Sequence, residues 1–247
     1  MNENRIKFAN LGLIIIDEQH RFGVYQRLAL LKKSPQADFM VMTATPIPRT
    51  LILTNYGDMD LSTIENKPKN RPLVKTITVN NKKTSDVIKS ISKFLKNGEQ
   101  VFWVCPLVKE SEKIDLVAVE TRAKCLKKVF PNKVSVIHGK MNTEEKETNI
   151  NEFINAEKPI LISTTVIEVG IDIPNANIMI IEHAERFGLS QLHQLRGRIG
   201  RGSKESICIL LYDNKLSSIA KKRLSTMKNT NDGFLISEKD LELRGPG

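Results

Sequence analysis

Residues 11–20 read LGLIIIDEQH. From Leu13 to Ile16 the run is wholly apolar and mostly β-branched, which suits a parallel strand covered on both faces, because a half-covered strand would alternate. It stops at Asp17 and Glu18 and so puts two carboxylates at the carboxyl end of a strand, the edge at which open α/β sheets collect ligands. By itself the string also reads as an ordinary polar turn.

Working outward, similar runs recur at 39–42, 101–105, 134–137, 160–162, 178–181 and 207–211. Longer amphipathic stretches at 85–96, 113–130 and 143–154 fall between several of them, the last opened by Asn142 with Glu145 three residues on, a capping-box pattern. Strand-like and helix-like segments in alternation predict an α/β fold on a mostly parallel sheet. At 65–72, ENKPKNRP has no apolar periodicity and reads as a linker. It leaves 1–66 with two good strands, too small a piece for a complete α/β domain, and 67–212 with five or six.

The chain has 247 residues, 40% of them hydrophobic, enough to fill a real core. Its 38 Lys and Arg against 28 Asp and Glu give a formal charge of +10, which favours a polyanionic partner such as nucleic acid, although a lysine-rich surface need bind nothing. Cys105, Cys125 and Cys208 stand far apart, with no CxxC pair and no His at ligand spacing, so buried thiols are expected rather than disulfides or a zinc site. The first ten residues hold no apolar leader segment, and no run approaches the ~20 residues of a membrane span, so a soluble, cytoplasmic protein is expected. Trp103, inside the 101–105 run, is expected in the core.

Three strings carry chemistry. At the acid pair of an NTPase the first carboxylate can hold Mg2+ through water while the second orients or deprotonates the attacking water. Here DEQHRFGV at 17–24 is followed by Gln26 and Arg27, and TATPIPRTL stands at 43–51. Pro46 and Pro48 end the preceding strand in an extended turn that would hold the hydroxyls of Thr43 and Thr45 near the carboxylates. STTVIEVGIDIP at 163–174 follows the 160–162 strand; its small hydroxyls and glycine suit close approach of backbone to phosphate, and a plain strand-to-helix turn fits it too. QLHQLRGRIGRG at 191–202 is the most specific string. On a helix, Arg198 and Arg201 would share a face with Gln194 one turn earlier. Two glycines in that helix would cost about 1 kcal/mol each, and Arg196, Arg198 and Arg201 would repel one another; a triphosphate would compensate where local stability does not. A basic helix end lying on DNA backbone is the alternative. His138-Gly139-Lys140, at a strand end, is a weaker signal of the same kind.

Together these strings resemble the motor of superfamily 2 helicases, with DEQHRFGV in the place of the Walker B segment, TAT in that of motif III, and the two later strings in those of motifs V and VI. The PIPRTL tail and DGFLISEKDLELRGPG at 232–247 narrow the resemblance to RecG-type helicases and transcription-repair coupling factors; Gln19, STTVIEVG, and DGF followed by RGPG favour the RecG type. The resemblance covers essentially the whole chain and implies tandem RecA-like lobes with parallel sheets. In that scheme 1–66 is an incomplete first lobe, 67–212 a complete second lobe and 213–247 the start of a translocation motif, with a helix at 221–230.

The resemblance further implies an ATP-dependent DNA helicase or translocase, with ATP and Mg2+ as cofactors. It would act as a monomer on branched double-stranded DNA in recombination and repair, away from membranes. Asp17 falls to the metal and to catalysis, with Glu18, Arg198 and Arg201 as further catalytic groups, the arginines reaching across to the nucleotide. Gln19, His20, Thr43, Thr45 and Gln194 fall to coupling, Gly170 and Asp172 to the nucleotide, and Thr164, His138, Gly139 and Arg244 to DNA. Two departures count: no GxxxxGK loop followed by Ser or Thr occurs in the chain, and the family's fork-binding wedge would lie upstream, so these residues alone are expected to be inactive. A DNA-binding module without hydrolysis and a decayed remnant stay open as alternatives.

Overall fold

In a computed structural model of the chain, which describes residues 7–18, 22–34, 36–44, 60–64, 72–106, 112–164, 173 and 175–244, packing divides the molecule into Met1–Ile47 and Pro48–Gly247. The first unit carries β1 (Leu13–Ile16), α1 (Val24–Leu31) and β2 (Asp38–Val41), with the strands parallel and Ile16 opposite Val41. Gly23 opens α1, its N–H donating to Gln26 Oε1 at 2.9 Å. Ile14 and Ile16 are buried, whereas Leu13 and Ile15 are about half exposed. The apolar run predicts cover on both faces; among the described residues a two-stranded sheet crossed by one helix has material for one.

The second unit is built on β3 (Lys75–Asn80), β4 (Gln100–Val104), β5 (Val134–Ile137), β6 (Ile160–Ser163), β7 (Ala176–Ile181) and β8 (Ile207–Tyr212), all parallel and ordered β3-β8-β7-β4-β6-β5. The strand β3 was not expected. Its sequence KTITVN alternates, and at the sheet edge most of it is half exposed, so it lacks the apolar run that marks the central strands.

Helices α2 (Thr84–Lys96), α3 (Glu112–Val129) and α4 (Thr143–Ile154) follow the expected stretches closely. The helix α4 starts where its cap dictates, with Asn142 Oδ1 accepting the Glu145 N–H at 2.7 Å. Three more helices lie among the described residues of the unit: α5 (Leu189–Arg196), α6 (Ser218–Asn229) and α7 (Gly233–Arg244).

The period of two sorts the strand side chains into two layers. On one face Trp103, Ile162 and Ile180 pack with Val87 and Ile91 of α2 and Val119 and Leu126 of α3. On the other, Phe102, Leu161, Met179 and Leu210 pack with Phe153 of α4, Leu192 of α5, Leu224 and Met227 of α6, and Ile236 of α7. Trp103 is fully buried, as expected. The last two helices therefore belong to the same core as the sheet. Replacing the buried Ile236 by Ala is expected to cost about 2–4 kcal/mol and to lower the Tm of the whole second unit. A loss below about 1 kcal/mol in chemical denaturation would mean that α7 is only docked on the surface.

Candidate functional site

The carboxyl edge of the first unit gathers the acid pair. Met42 N–H donates to Ile16 O at 2.7 Å, so the chain beyond β1 and the chain beyond β2 leave the sheet side by side, and Asp17, Glu18 and Thr43 lie at one end of it. Asp17 is exposed, and one of its carboxylate oxygens accepts the Glu18 N–H at 2.8 Å. Glu18 takes a left-handed conformation, φ 54°, which costs an L residue roughly 1–2 kcal/mol and turns the second acid away from the strand direction. Gln19, His20 and Thr45 lie outside the described residues.

A second edge, at the carboxyl ends of β5 and β6, holds buried polar groups in a row. Ile137 pairs with Ser163, so His138 and Thr164 follow on neighbouring strands. Ser163 and Thr164 are buried, yet neither hydroxyl has a hydrogen-bond partner, and neither does His138 Nδ1. Each such group forfeits about 1–3 kcal/mol relative to a satisfied one. Gly139 is exposed, with open space where a Cβ would stand, so nothing in the protein itself requires glycine there. Gly170 and Asp172 lie outside the described residues, as does the side chain of Arg244.

The arginine string departs from its expected geometry. The helix α5 ends at Arg196 with Gly197 as its C-cap, and residues 197–200 form turns and bends in which Arg198 N–H donates to Leu195 O at 2.9 Å. Arg198 and Arg201 therefore do not share a helical face, and the two glycines cost no helix propensity. Gly200 has φ +71°, and a methyl there would come within 3.0 Å of Val74 Cγ2 and 3.3 Å of Ser206 Oγ. Conformation and contact, rather than a ligand, explain that glycine. Arg201 is exposed, while Arg198 and Gln194 are half-buried.

Arg196 is of a different kind. It is 3% exposed, and its Nη1 donates to Thr76 Oγ1 at 3.1 Å, Met227 O at 2.8 Å and Thr230 O at 2.9 Å. Burial holds its pKa below the usual arginine range. At the other end of α5, the buried Asp240 of α7 accepts from Leu189 N–H at 3.3 Å and Ser190 Oγ at 2.7 Å, a carboxylate at a helix N-terminus. Sequence reasoning missed both roles. For Asp240 the signal was faint, a lone acid in an otherwise ordinary amphipathic helix.

Val74 and Ser206 immediately precede β3 and β8, so Gly200 and its neighbours sit toward the amino edge of the sheet, whereas Thr164 and His138 stand at the carboxyl edge. Within the second unit His138, Gly139 and Thr164 stand together, away from Gly200 and its neighbours. The turn that carries the chain from β7 to α5 includes His183 at φ 47°, whose Nδ1 lies 3.2 Å from Glu185 Oε1. That hydrogen bond raises the His183 pKa from its ordinary 6.5, against an opposing effect of burial. Among the cysteines, burial pushes Cys208 up to about 12 and Cys105 higher still, so both thiols stay protonated and inert. No group of three His, Cys, Asp or Glu residues able to hold a metal occurs among the described residues, and no described helix is long and apolar enough to cross a membrane.

Residues 82–203 match the helicase conserved C-terminal domain. Over 99% of its length the chain is 48% identical to the ATP-dependent DNA helicase RecG of Pasteurella multocida and 47% identical to that of Escherichia coli K12. Its structure matches RecG bound to a three-way DNA junction with a TM-score of 0.78 at 45% identity, over 98% of this chain. The chain is a homologue of the RecG helicases. It spans 36% of the length of those two RecG relatives and 31% of the RecG chain in the junction complex. Saccharomyces cerevisiae Dbp5 bound to RNA and ADP BeF3 matches with a TM-score of 0.63 at 15% identity, over 95% of this chain and 63% of that one, which adds the fold alone. The parallel sheet of the second unit is thus the RecA-like C-terminal lobe that RecG shares with other helicases.

Two outcomes follow for this RecG homologue. Arg196→Ala strands buried carbonyls and is expected to cost about 3 kcal/mol or more, whereas Arg201→Ala, at an exposed position, costs much less; equal losses in urea denaturation would contradict the division between them. The pKa of His183 is raised on folding, so the stabilisation it contributes is fully present below about pH 6.5 and is lost as pH rises through the folded value. His183→Asn, which tolerates the left-handed backbone, should flatten the fall in Tm between about pH 6 and 8; an unchanged slope would assign that fall elsewhere.

Proposed function

We propose that the chain is part of an ATP-dependent DNA helicase or translocase of RecG type that acts as a cytoplasmic monomer on branched double-stranded DNA in recombination and repair. The observation that carries this reading, beside the homology, is the row of unpartnered buried groups at Ser163, Thr164 and His138. Unpartnered hydroxyls at a strand edge suit the oxygens of a phosphodiester backbone and carry no sequence preference. In this reading Thr164, His138, Gly139 and Arg244 contact DNA, and Gly170 and Asp172 border the nucleotide.

ATP is the cofactor that the family uses, and Mg2+ accompanies it. An exposed carboxylate at a strand end fits Mg2+, which takes one or two carboxylates together with phosphate oxygens and water; Asp17 supplies one. Glu18 orients or deprotonates the attacking water, Arg198 and Arg201 meet the developing phosphate charge, and Gln19, His20, Thr43, Thr45 and Gln194 relay nucleotide state. Binding without hydrolysis is the second reading, favoured by the chain's formal charge of +10.

The purified chain is expected to bind a three-way junction more tightly than a linear duplex, with affinity falling steeply as salt rises. Thr164→Val should weaken that binding about fivefold, the worth of one hydrogen bond. No binding at low salt would remove the second reading. In a chimera where these residues replace the matching segment of Escherichia coli RecG, Glu18→Gln should abolish ATP turnover, and Arg201→Ala should lower it by about 10³-fold or more while sparing DNA affinity. Retained turnover in either variant would strip that residue of its catalytic assignment, and DNA binding unaffected by ATP would favour the second reading.

A further inference from the structure

We infer that Glu182 is a positioning residue for the arginine-bearing segment, fixing the turn through which β7 leads into α5. Glu182 is the first residue beyond β7, and its N–H still donates to Val104 O at 2.9 Å, so its backbone is held by the sheet. Its side chain gathers two donors from two other elements: one carboxylate oxygen accepts from Trp103 Nε1 of β4 and from Arg122 Nε of α3. The Arg122 guanidinium also lies over the Trp103 ring, 5.1 Å from its centroid, so the three side chains form a closed cluster. The side chains of Arg122 and Glu182 are 22% and 13% exposed, and Trp103 is buried completely.

A largely buried ion pair is weak evidence for stability, because desolvation takes back most of the attraction; its characteristic gain is a fixed arrangement. What it fixes here is the chain's exit. The next residue, His183, adopts a left-handed conformation that a β-strand cannot continue into, and the short helical turn Ala184–Arg186 follows at once. Only Phe187 and Gly188 then separate that turn from α5, whose N-terminus is held by Asp240. Glu182 thus governs where the connection starts, Asp240 where the helix begins and Arg196 where it ends. Burial works against the charge of Arg122, yet the charge of Glu182 and its hydrogen bond outweigh this and hold the guanidinium pKa above its usual range, as a tight pair requires.

The inference rests on the proposed function only for what the arginines do; the positioning itself can be read without ATP. Trp103 is the sole tryptophan of the chain, so its emission reports the cluster directly. In the 247-residue chain, Glu182→Ala should shift that emission and speed amide exchange at residues 183–198 at least tenfold, with exchange in β5, at the far edge of the sheet, unchanged. Glu182→Gln keeps a neutral acceptor for the indole N–H and should restore most of the protection and the native emission. Arg122→Met, which leaves the carboxylate in place, serves where the alanine variant does not fold, with the same local loss expected. Unchanged exchange at 183–198, or an equal rise throughout the sheet, overturns the inference. In the chimera, Glu182→Ala should lower kcat at least threefold with KM for ATP and DNA affinity held, Glu182→Gln should recover most of that loss, and an unchanged kcat in the alanine variant counts against a role in placing the arginines. A chimera inactive even without the substitution would instead sink the motor reading, leaving the exchange result to stand for the inference alone.

Discussion

A buried guanidinium is the joint on which the site geometry of the second unit depends. Arg196 leaves water almost entirely, so its charge has to be met by acceptors inside the protein, and they come from separate places: a threonine hydroxyl of the edge strand β3 and two carbonyls at the end of α6. One side chain thereby joins the end of α5, the start of the sheet's edge and the connection between the last two helices. Asp240 does the complementary work at the opposite end of α5. An eight-residue helix is too short to be stable by its own hydrogen bonds, so both of its ends are set by tertiary contacts.

That arrangement separates roles that the sequence places side by side. Arg196, Arg198 and Arg201 stand within six residues, and mutual repulsion suggested one anionic ligand for all three. Folding resolves the repulsion differently. Arg196 turns inward to carbonyl oxygens, the helix stops, and the turn at Gly197 and Gly200 carries the other two onward, with Gly200 pressed against Val74 and Ser206. The charges are parted by a change of backbone, which helical spacing arithmetic does not foresee.

The central architecture was legible because it is written in long apolar runs. Strands β4, β6, β7 and β8 lie inside the sheet and read as continuous hydrophobic segments, and α4 announced itself through Asn142 and Glu145. The edge strand β3 escaped because its alternation resembles a solvated segment, and α5 because a glycine-bearing arginine string overrode its boundary. Residue identities in the candidate site came from the motifs, but their burial did not. Nothing in STT distinguishes a hydroxyl that caps a turn from one buried without a partner, since the difference lies in whether neighbouring backbone reaches it. The Trp103–Glu182 contact likewise joins residues 79 apart in sequence, beyond any local pattern.

The two edges of the second sheet differ in chemistry, and the difference suits the ligands proposed for them. Toward the amino edge the segment ends in guanidinium groups, one of them exposed; at the carboxyl edge the unpartnered groups are neutral hydroxyls and an imidazole nitrogen. A phosphodiester carries a single charge and has to be released at every step of a translocating motor, so neutral donors that hold it modestly serve better than cations that would trap it. A triphosphate carries several charges, and more develop on its oxygens as the bond breaks, so fixed guanidinium charge has most effect there. In the proposed reading, Thr164 and the segment at Gly200 stand toward opposite edges of the sheet, so the two phosphate ligands meet different donor sets.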